Sequence, residues 1–214
     1  MASTHSGACR KCERVVGKAQ MTRHLKRCLG ENTVKGQFLI LVEWPRSPYW
    51  VYFTAPKNIT LRRIDAVLRA MWVECCDHLS AFFADKVTFA DDPEPTLAWG
   101  LGERPLSMTL KRALPENAEL RYEYDFGSTT ELKLRVLDDR IAGLGPDITV
   151  VARNQAPEVE CVNCGQSATM LKMDDWYPKP YCENCLGEEE EMQLPLINSP
   201  RTGVCEYTGP SIEP

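Results

Sequence analysis

Eight side chains in this chain of 214 residues stand at spacings that suit metal binding. Cys9 and Cys12 form a C-x-x-C pair, and His24 and Cys28 follow as H-x-x-x-C after eleven intervening residues. Zinc takes four thiolate or imidazole ligands in a tetrahedron. A C-x-x-C turn supplies two thiolates from one knuckle. A four-residue offset on a helix puts His24 and Cys28 on one face, a turn apart. Met21 to Cys28 (MTRHLKRC) contains no helix breaker and suits that helix, with Leu25 turned towards a small interior. A segment of about thirty residues has too little core to fold alone, so the ion would supply its folding energy.

The second set is Cys161, Cys164, Cys182 and Cys185, two C-x-x-C pairs separated by seventeen residues. That spacer lies in the range expected for zinc. Met170, Leu171, Met173, Trp176, Tyr177 and Tyr181 between the knuckles are enough for a small hairpin, which makes the segment look like a zinc ribbon. Four thiolates leave no open coordination position, so the site is expected to be structural rather than catalytic. The alternative, a redox dithiol, is more typically a single C-x-x-C at a helix start. The sequence thus predicts two zinc ions. Cys75 and Cys76 are expected to pack in the core, Cys205 has no assigned role, and His5 and His78 are expected at the surface or in caps.

Charge is unevenly distributed. The chain carries −5 overall, yet residues 1–30 hold seven basic groups against Glu13, so the head is +6 and the remainder −11. A basic head on an acidic body suits a polyanionic partner. The N-terminal pattern resembles a two-cysteine, two-histidine zinc finger whose final histidine has become Cys28. In such fingers, side chains at the helix start reach base edges, and one finger covers about three base pairs. Gln20, Thr22, Arg23, Lys26 and Arg27 lie on or near the helix, and Arg10, Lys11, Arg23, Lys26 and Arg27 are the candidate nucleic-acid contacts. A protein partner at the same surface and a purely structural role are the other expectations.

The chain is 43% hydrophobic and 26% charged, ordinary for a soluble protein with one real core. No apolar run approaches the roughly 20 residues that span a bilayer, so no membrane partner is expected. The opening MASTHSGACRKCER has no apolar stretch behind a basic start, which argues against a secretory signal. Six of the ten cysteines fall in C-x-x-C pairs, which points to metal in a reducing cytoplasm rather than to disulfides.

These sites need a scaffold, and residues 36–153 have its patterning, between a finger at 1–32 and a ribbon at 157–187, with an acidic, proline-containing tail at 188–214. Gln37 to Trp44 and Trp50 to Thr54 read as a strand hairpin around the turn WPRSPYW. Leu61, Ile64, Val67, Leu68, Met71, Trp72 and Cys75 recur at three and four, an amphipathic helix capped by Thr60 and ending near Cys76 to His78. Its polar face carries Arg62, Arg63, Asp65 and Arg69. Phe82 to Phe89 suggests one or two short strands, Asp91 to Pro95 a loop, and Leu106 to Leu114 a short helix. Leu120 to Phe126 alternates, with Tyr122, Tyr124 and Phe126 on one face and Arg121, Glu123 and Asp125 on the other. Leu132, Leu134 and Val136 continue as its partner, and Ile148 to Ala152 is a last strand. The pattern predicts an α+β fold, a mostly antiparallel sheet with a packed helix, flanked by two zinc modules.

Three segments of this core resemble the plasmid pRiA4b ORF-3-like family, which includes TnpR-like passenger proteins of insertion elements. They are FLILVEWPRSPYWVYFTAP, TLRRIDAVLRAMW followed by Asp77-His78-Leu79 and Phe82, and LRYEYDFGSTTELKLRVL, which is similar to the family's Tyr-x-Tyr-Asp-Phe-Gly strand and turn. The resemblance covers roughly residues 36–140. It implies an α+β domain and an association with mobile elements. After YDFG the family continues Asp-x-Trp-x-His, where this chain has Ser128, Thr130 and Leu132. That departure favours binding over catalysis. The alternative is a metal-dependent hydrolase or nuclease using Glu123 and Asp125, with Asp77 and His78 as further candidates that nothing in the sequence brings to them.

Overall fold

The computed structural model describes residues 6–93, 102–173, 177–187 and 192–211. His5, Trp176, the end of the 91–95 loop and the acidic run at 188–191 lie outside the described residues. In chain order the elements are β1 (Ser6–Cys9), β2 (Val15–Gly17), α1 (Lys18–Leu29), β3 (Gln37–Glu43), β4 (Trp50–Ala55), α2 (Leu61–Leu68), β5 (Ser80–Ala84), β6 (Val87–Ala90), β7 (Gly102–Pro105), α3 (Leu110–Ala113), β8 (Glu119–Tyr124), β9 (Thr130–Ile141), β10 (Thr149–Asn154), β11 (Met170–Met173), β12 (Pro178–Tyr181) and β13 (Gln193–Pro195). The fold is α+β, as the patterning predicts. A ten-stranded sheet runs β2-β1-β10-β4-β3-β9-β8-β5-β6-β7, antiparallel except between β6 and β7, and a separate sheet runs β12-β11-β13.

β3 reads as an unbroken apolar run because both of its faces are covered. Phe38, Ile40 and Val42 join Leu61, Ile64 and Leu68 of α2 in one buried cluster. Leu39 and Leu41 point the other way, into a second cluster with Trp50, Tyr52 and Val151, which α1 closes with Met21, Leu25 and Leu29. The interior under Leu25 is therefore shared with the scaffold rather than private to a thirty-residue finger. β1 is hydrogen-bonded to β10, with Gly7 opposite Asn154. At Gly7 a side-chain Cβ would stand 2.2 Å from the Arg153 carbonyl oxygen and 2.3 Å from the Trp50 ring. Gly7→Val is accordingly expected to cost about 1–3 kcal/mol through overpacking, read as a lower midpoint in chemical denaturation; an unchanged midpoint would show that β1 is not held there.

Thr60 caps α2, its hydroxyl accepting from the Arg63 amide at 3.3 Å. The helix stops earlier than expected, its last turn widening into a π-turn over Arg69–Val73. Asp65, expected on the solvent face, is only 5% exposed. Tyr122 and Ser80 donate to its Oδ1 at 2.8 and 2.7 Å, and Arg69 Nε donates to its Oδ2 at 3.1 Å. Three donors compensate the burial of that charge.

The segment after β13 lies against the scaffold. Ser199, Arg201 and Tyr207 are fully buried. Ser199 Oγ donates to the Trp72 carbonyl at 2.6 Å, and the Ser211 amide donates to the Ala70 carbonyl at 2.9 Å. These carbonyls belong to the helix end, where no intrahelical donor reaches them.

Candidate metal centres

At the first centre, β1 and β2 flank the C-x-x-C knuckle. The Glu13 amide donates to the Cys9 carbonyl at 2.7 Å and the Cys9 amide to the Arg14 carbonyl at 3.0 Å, and Glu13 takes the left-handed φ of 60° that closes this turn. Helix α1 spans Lys18–Leu29 and presents His24 and Cys28 one turn apart. Cys9 Sγ lies 4.0 Å from Cys28 Sγ, and Cys12 Sγ lies 3.3 Å from His24 Nε2. Ligands about 2.3 Å from a central ion stand roughly 3.8 Å apart at the corners of a tetrahedron. The four predicted residues are thus brought together as one quartet, with all ligand atoms within 4.8 Å of one another.

The second centre is built from two tight knuckles. The Gly165 amide donates to the Cys161 carbonyl at 2.9 Å and the Cys185 amide to the Cys182 carbonyl at 3.0 Å. Gly165 and Gly187 follow them at φ +71° and +74°, a conformation that favours glycine. Cys164 Sγ is 3.6 Å from Cys182 Sγ. The expected hairpin is β11 with β12, in register from Met170 opposite Tyr181 to Met173 opposite Pro178. β13 adds a third strand, from a segment the sequence reading placed in the tail.

A third group assembles from residues the sequence reading left apart. Cys75, Cys76, His78 and Cys205 bring their ligand atoms within the same 4.8 Å. Cys76 is exposed, so core packing does not describe it, whereas Cys75 is half-buried and does pack against the main core cluster. Cys205 lies 129 positions away and arrives through the fold, which is why spacing could not reveal it. The available signal was local: a C-C-x-H cluster at a helix end.

Each group pairs a readily ionised thiol with a resistant one. The Arg14 amide holds Cys12 below its ordinary value, while burial and the neighbouring Cys12 and Cys9 push Cys28 up to about 11. Amide donors at Cys182, Asn163 and Cys164 hold Cys161 at about 6, against Cys185 at about 12 beside Cys164 and Cys182. His78 and Cys76 hold Cys205 at about 7, while Cys205 and Cys75 push Cys76 up to about 12. Thiolates this close repel unless a cation sits between them, and a divalent ion binds by displacing the remaining protons.

No family model matches the chain, and no curated protein matches it. Among solved structures, a protein of unknown function from Methanosarcina mazei Go1 is similar at 17% identity and a TM-score of 0.43, with 59% of this chain and 71% of that one covered.

The candidate nucleic-acid contacts separate into two sets. Lys26 is engaged with Asp138 at 2.9 Å and with the Leu137 carbonyl at 3.0 Å, and Lys11 Nζ donates to the Cys28 carbonyl at 2.6 Å. Thr22 turns inward to Tyr52 at 2.8 Å. Arg10, Arg23 and Arg27 are exposed. Arg23 and Arg27 line an open groove of about 450 Å³ together with Arg14, Gln20 and His24, and none of these arginines has a carboxylate partner among the described residues.

The acidic strand does not form a carboxylate pair. β8 ends at Tyr124, and Asp125 turns into the left-handed region at φ 62°, which breaks the alternation. Asp125 is buried and bound by Arg201, with the Gly127 and Ser128 amides on its Oδ1 at 3.0 and 3.2 Å. Burial works against its ionisation, but these donors hold it down at about 2. Glu123 is paired instead with Arg121. Phe126, expected with the tyrosines, is 53% exposed because the strand has already ended. His78 does reach Asp125, at 3.7 Å, although nothing in the sequence placed it there. No described helix is long and apolar enough to cross a membrane.

Proposed function

We propose that this chain is a non-catalytic binding protein, stabilised by zinc, that meets nucleic acid through the exposed face of α1. Zinc is the ion of choice because the ligand sets are thiolate and imidazole in closed tetrahedra. The observation that carries the reading is the groove of Arg14, Arg23 and Arg27, beside His24 and Cys28, with no carboxylate paired to these arginines among the described residues. Guanidinium groups on a metal-fixed helix suit phosphate oxygens, which they bind bidentately. Lys26, paired with Asp138, contributes less than the sequence suggests. The resemblance to the pRiA4b ORF-3-like family supports a role with mobile elements, and the many cysteines suit a reducing cytoplasm. A protein partner at the same face is the competing outcome.

The test is fluorescence anisotropy with a labelled DNA or RNA duplex across salt. Three phosphate contacts give a slope near −2.7 in log affinity against log salt, so a fourfold rise in salt should weaken binding by about 40-fold. Arg23→Gln with Arg27→Gln should flatten that slope by about two, whereas Lys26→Gln should change it little. Affinity indifferent to salt and to the double variant would favour a protein partner instead.

A further inference from the structure

We propose that Cys75, Cys76, His78 and Cys205 form a third metal site, a closed three-cysteine, one-histidine centre that clamps the C-terminal segment onto the end of α2. It goes beyond the binding role above and is independent of what α1 binds. Cys75 and Cys76 sit in a bend just after the π-turn, which lets neighbouring side chains converge rather than alternate. Asp77 follows in the left-handed region, at φ 58°, and swings His78 back towards them. Cys205, also left-handed at φ 53°, enters from the opposite side. Cys76 Sγ lies 3.1 Å from Cys205 Sγ, 3.5 Å from Cys75 Sγ and 3.2 Å from His78 Nε2, and His78 Nε2 lies 3.8 Å from Cys205 Sγ. These edges approach the roughly 3.8 Å of a tetrahedron around a thiophilic divalent ion. They exceed the roughly 2.05 Å of a disulfide, and an imidazole has no place in a disulfide.

The surroundings are arranged for a charged centre. Three thiolates and a divalent ion leave one net negative charge, and Arg201 Nη2 donates to Cys75 Sγ at 3.5 Å. Arg201 is itself held by Asp125 and by Thr130 Oγ1 at 3.2 Å. Such outer contacts orient ligands and tune the ion. Asp125 lies near His78, but its carboxylate is committed to Arg201 and to two amides, so it is a positioning group rather than a ligand. The ion would join the segment carrying Ser199, Arg201 and Tyr207 to the helix end whose Trp72 and Ala70 carbonyls that segment caps.

The test counts ions in the full chain purified with zinc, by native mass spectrometry. Three ions are expected in the unaltered protein and two in Cys76→Ser with Cys205→Ser. Amide exchange in that variant should speed up at residues 196–211 while α1 and β11 keep their protection. Two ions in the unaltered protein, three in the double variant, or a Cys76–Cys205 disulfide seen as a cross-linked peptide would each overturn the proposal. Should the variant fail to fold, cobalt(II) titration of the unaltered chain decides: a tetrahedral thiolate spectrum growing to three equivalents supports the site, and saturation at two overturns it.

Discussion

Cys182→Ser is expected to unfold β11, β12 and β13 together while the ten-stranded sheet persists. Among the described residues the ribbon buries little of its own: Ala168, Leu171 and Leu194 are its buried apolar residues besides Cys161 and Cys182. Full burial of a leucine contributes about 1.5–3 kcal/mol, whereas fixing each residue's backbone costs about 1–2 kcal/mol. A few such side chains cannot order a three-stranded sheet and two knuckles. A structural zinc ion, at about 10–16 kcal/mol in small metal-binding peptides, can. The readout is amide exchange at Met170–Met173 and Gln193–Pro195, which should lose protection in the variant and in the chelated protein. Protection persisting there without metal would show that the ribbon folds by packing alone. Cys28→Ser at the first centre should do less damage, because Met21, Leu25 and Leu29 remain under Trp50 and Tyr52 and β1 remains paired with β10.

Arg201→Ala should lower stability by about 3–5 kcal/mol, the range for breaking a buried ion pair by removing one partner. Arg201 is 0% exposed and its guanidinium meets Asp125, the Ser128 carbonyl and Thr130. Removing it strands a buried carboxylate at the end of β8. Adding Asp125→Asn to the variant should restore part of the loss, since a neutral amide is cheaper to leave unpaired than a carboxylate. Urea denaturation of the single and double variants measures both effects. A loss below about 1 kcal/mol for Arg201→Ala would mean that the segment around it is not docked.

The legible part of this molecule was whatever local periodicity records. β3, β4, α2, β8 and β9 follow from alternation and from spacings of three and four, and two ligand sets follow from C-x-x-C pairs. Asp65 was misplaced because a helical wheel shows which face is polar, not that Tyr122 and Ser80 would reach that face from other strands. Asp125 and Phe126 were misplaced because alternation fails at the residue where φ turns positive. The third cysteine group is only partly legible in the sequence, for a different reason. Three of its members stand in one short run, but the fourth is supplied by a segment with no periodic pattern, whose position depends on Arg201 finding Asp125. The N-terminal finger looks self-contained because its ligand spacing is self-contained, but the apolar face of α1 is completed by the scaffold rather than by a private interior.

The pairing of Gly7 with Asn154 also sets an order of events during synthesis. Residues 6–29 leave the ribosome well before the strand that receives them, Thr149–Asn154, which is the last strand of the large sheet in chain order. At about 5–20 residues per second the wait is roughly 7–30 seconds. Through that interval the hairpin has a bare edge and α1 has its leucines in water. In that interval a bound ion would be the one tie between the knuckle and the helix, and metal supply at the ribosome would become part of the folding pathway.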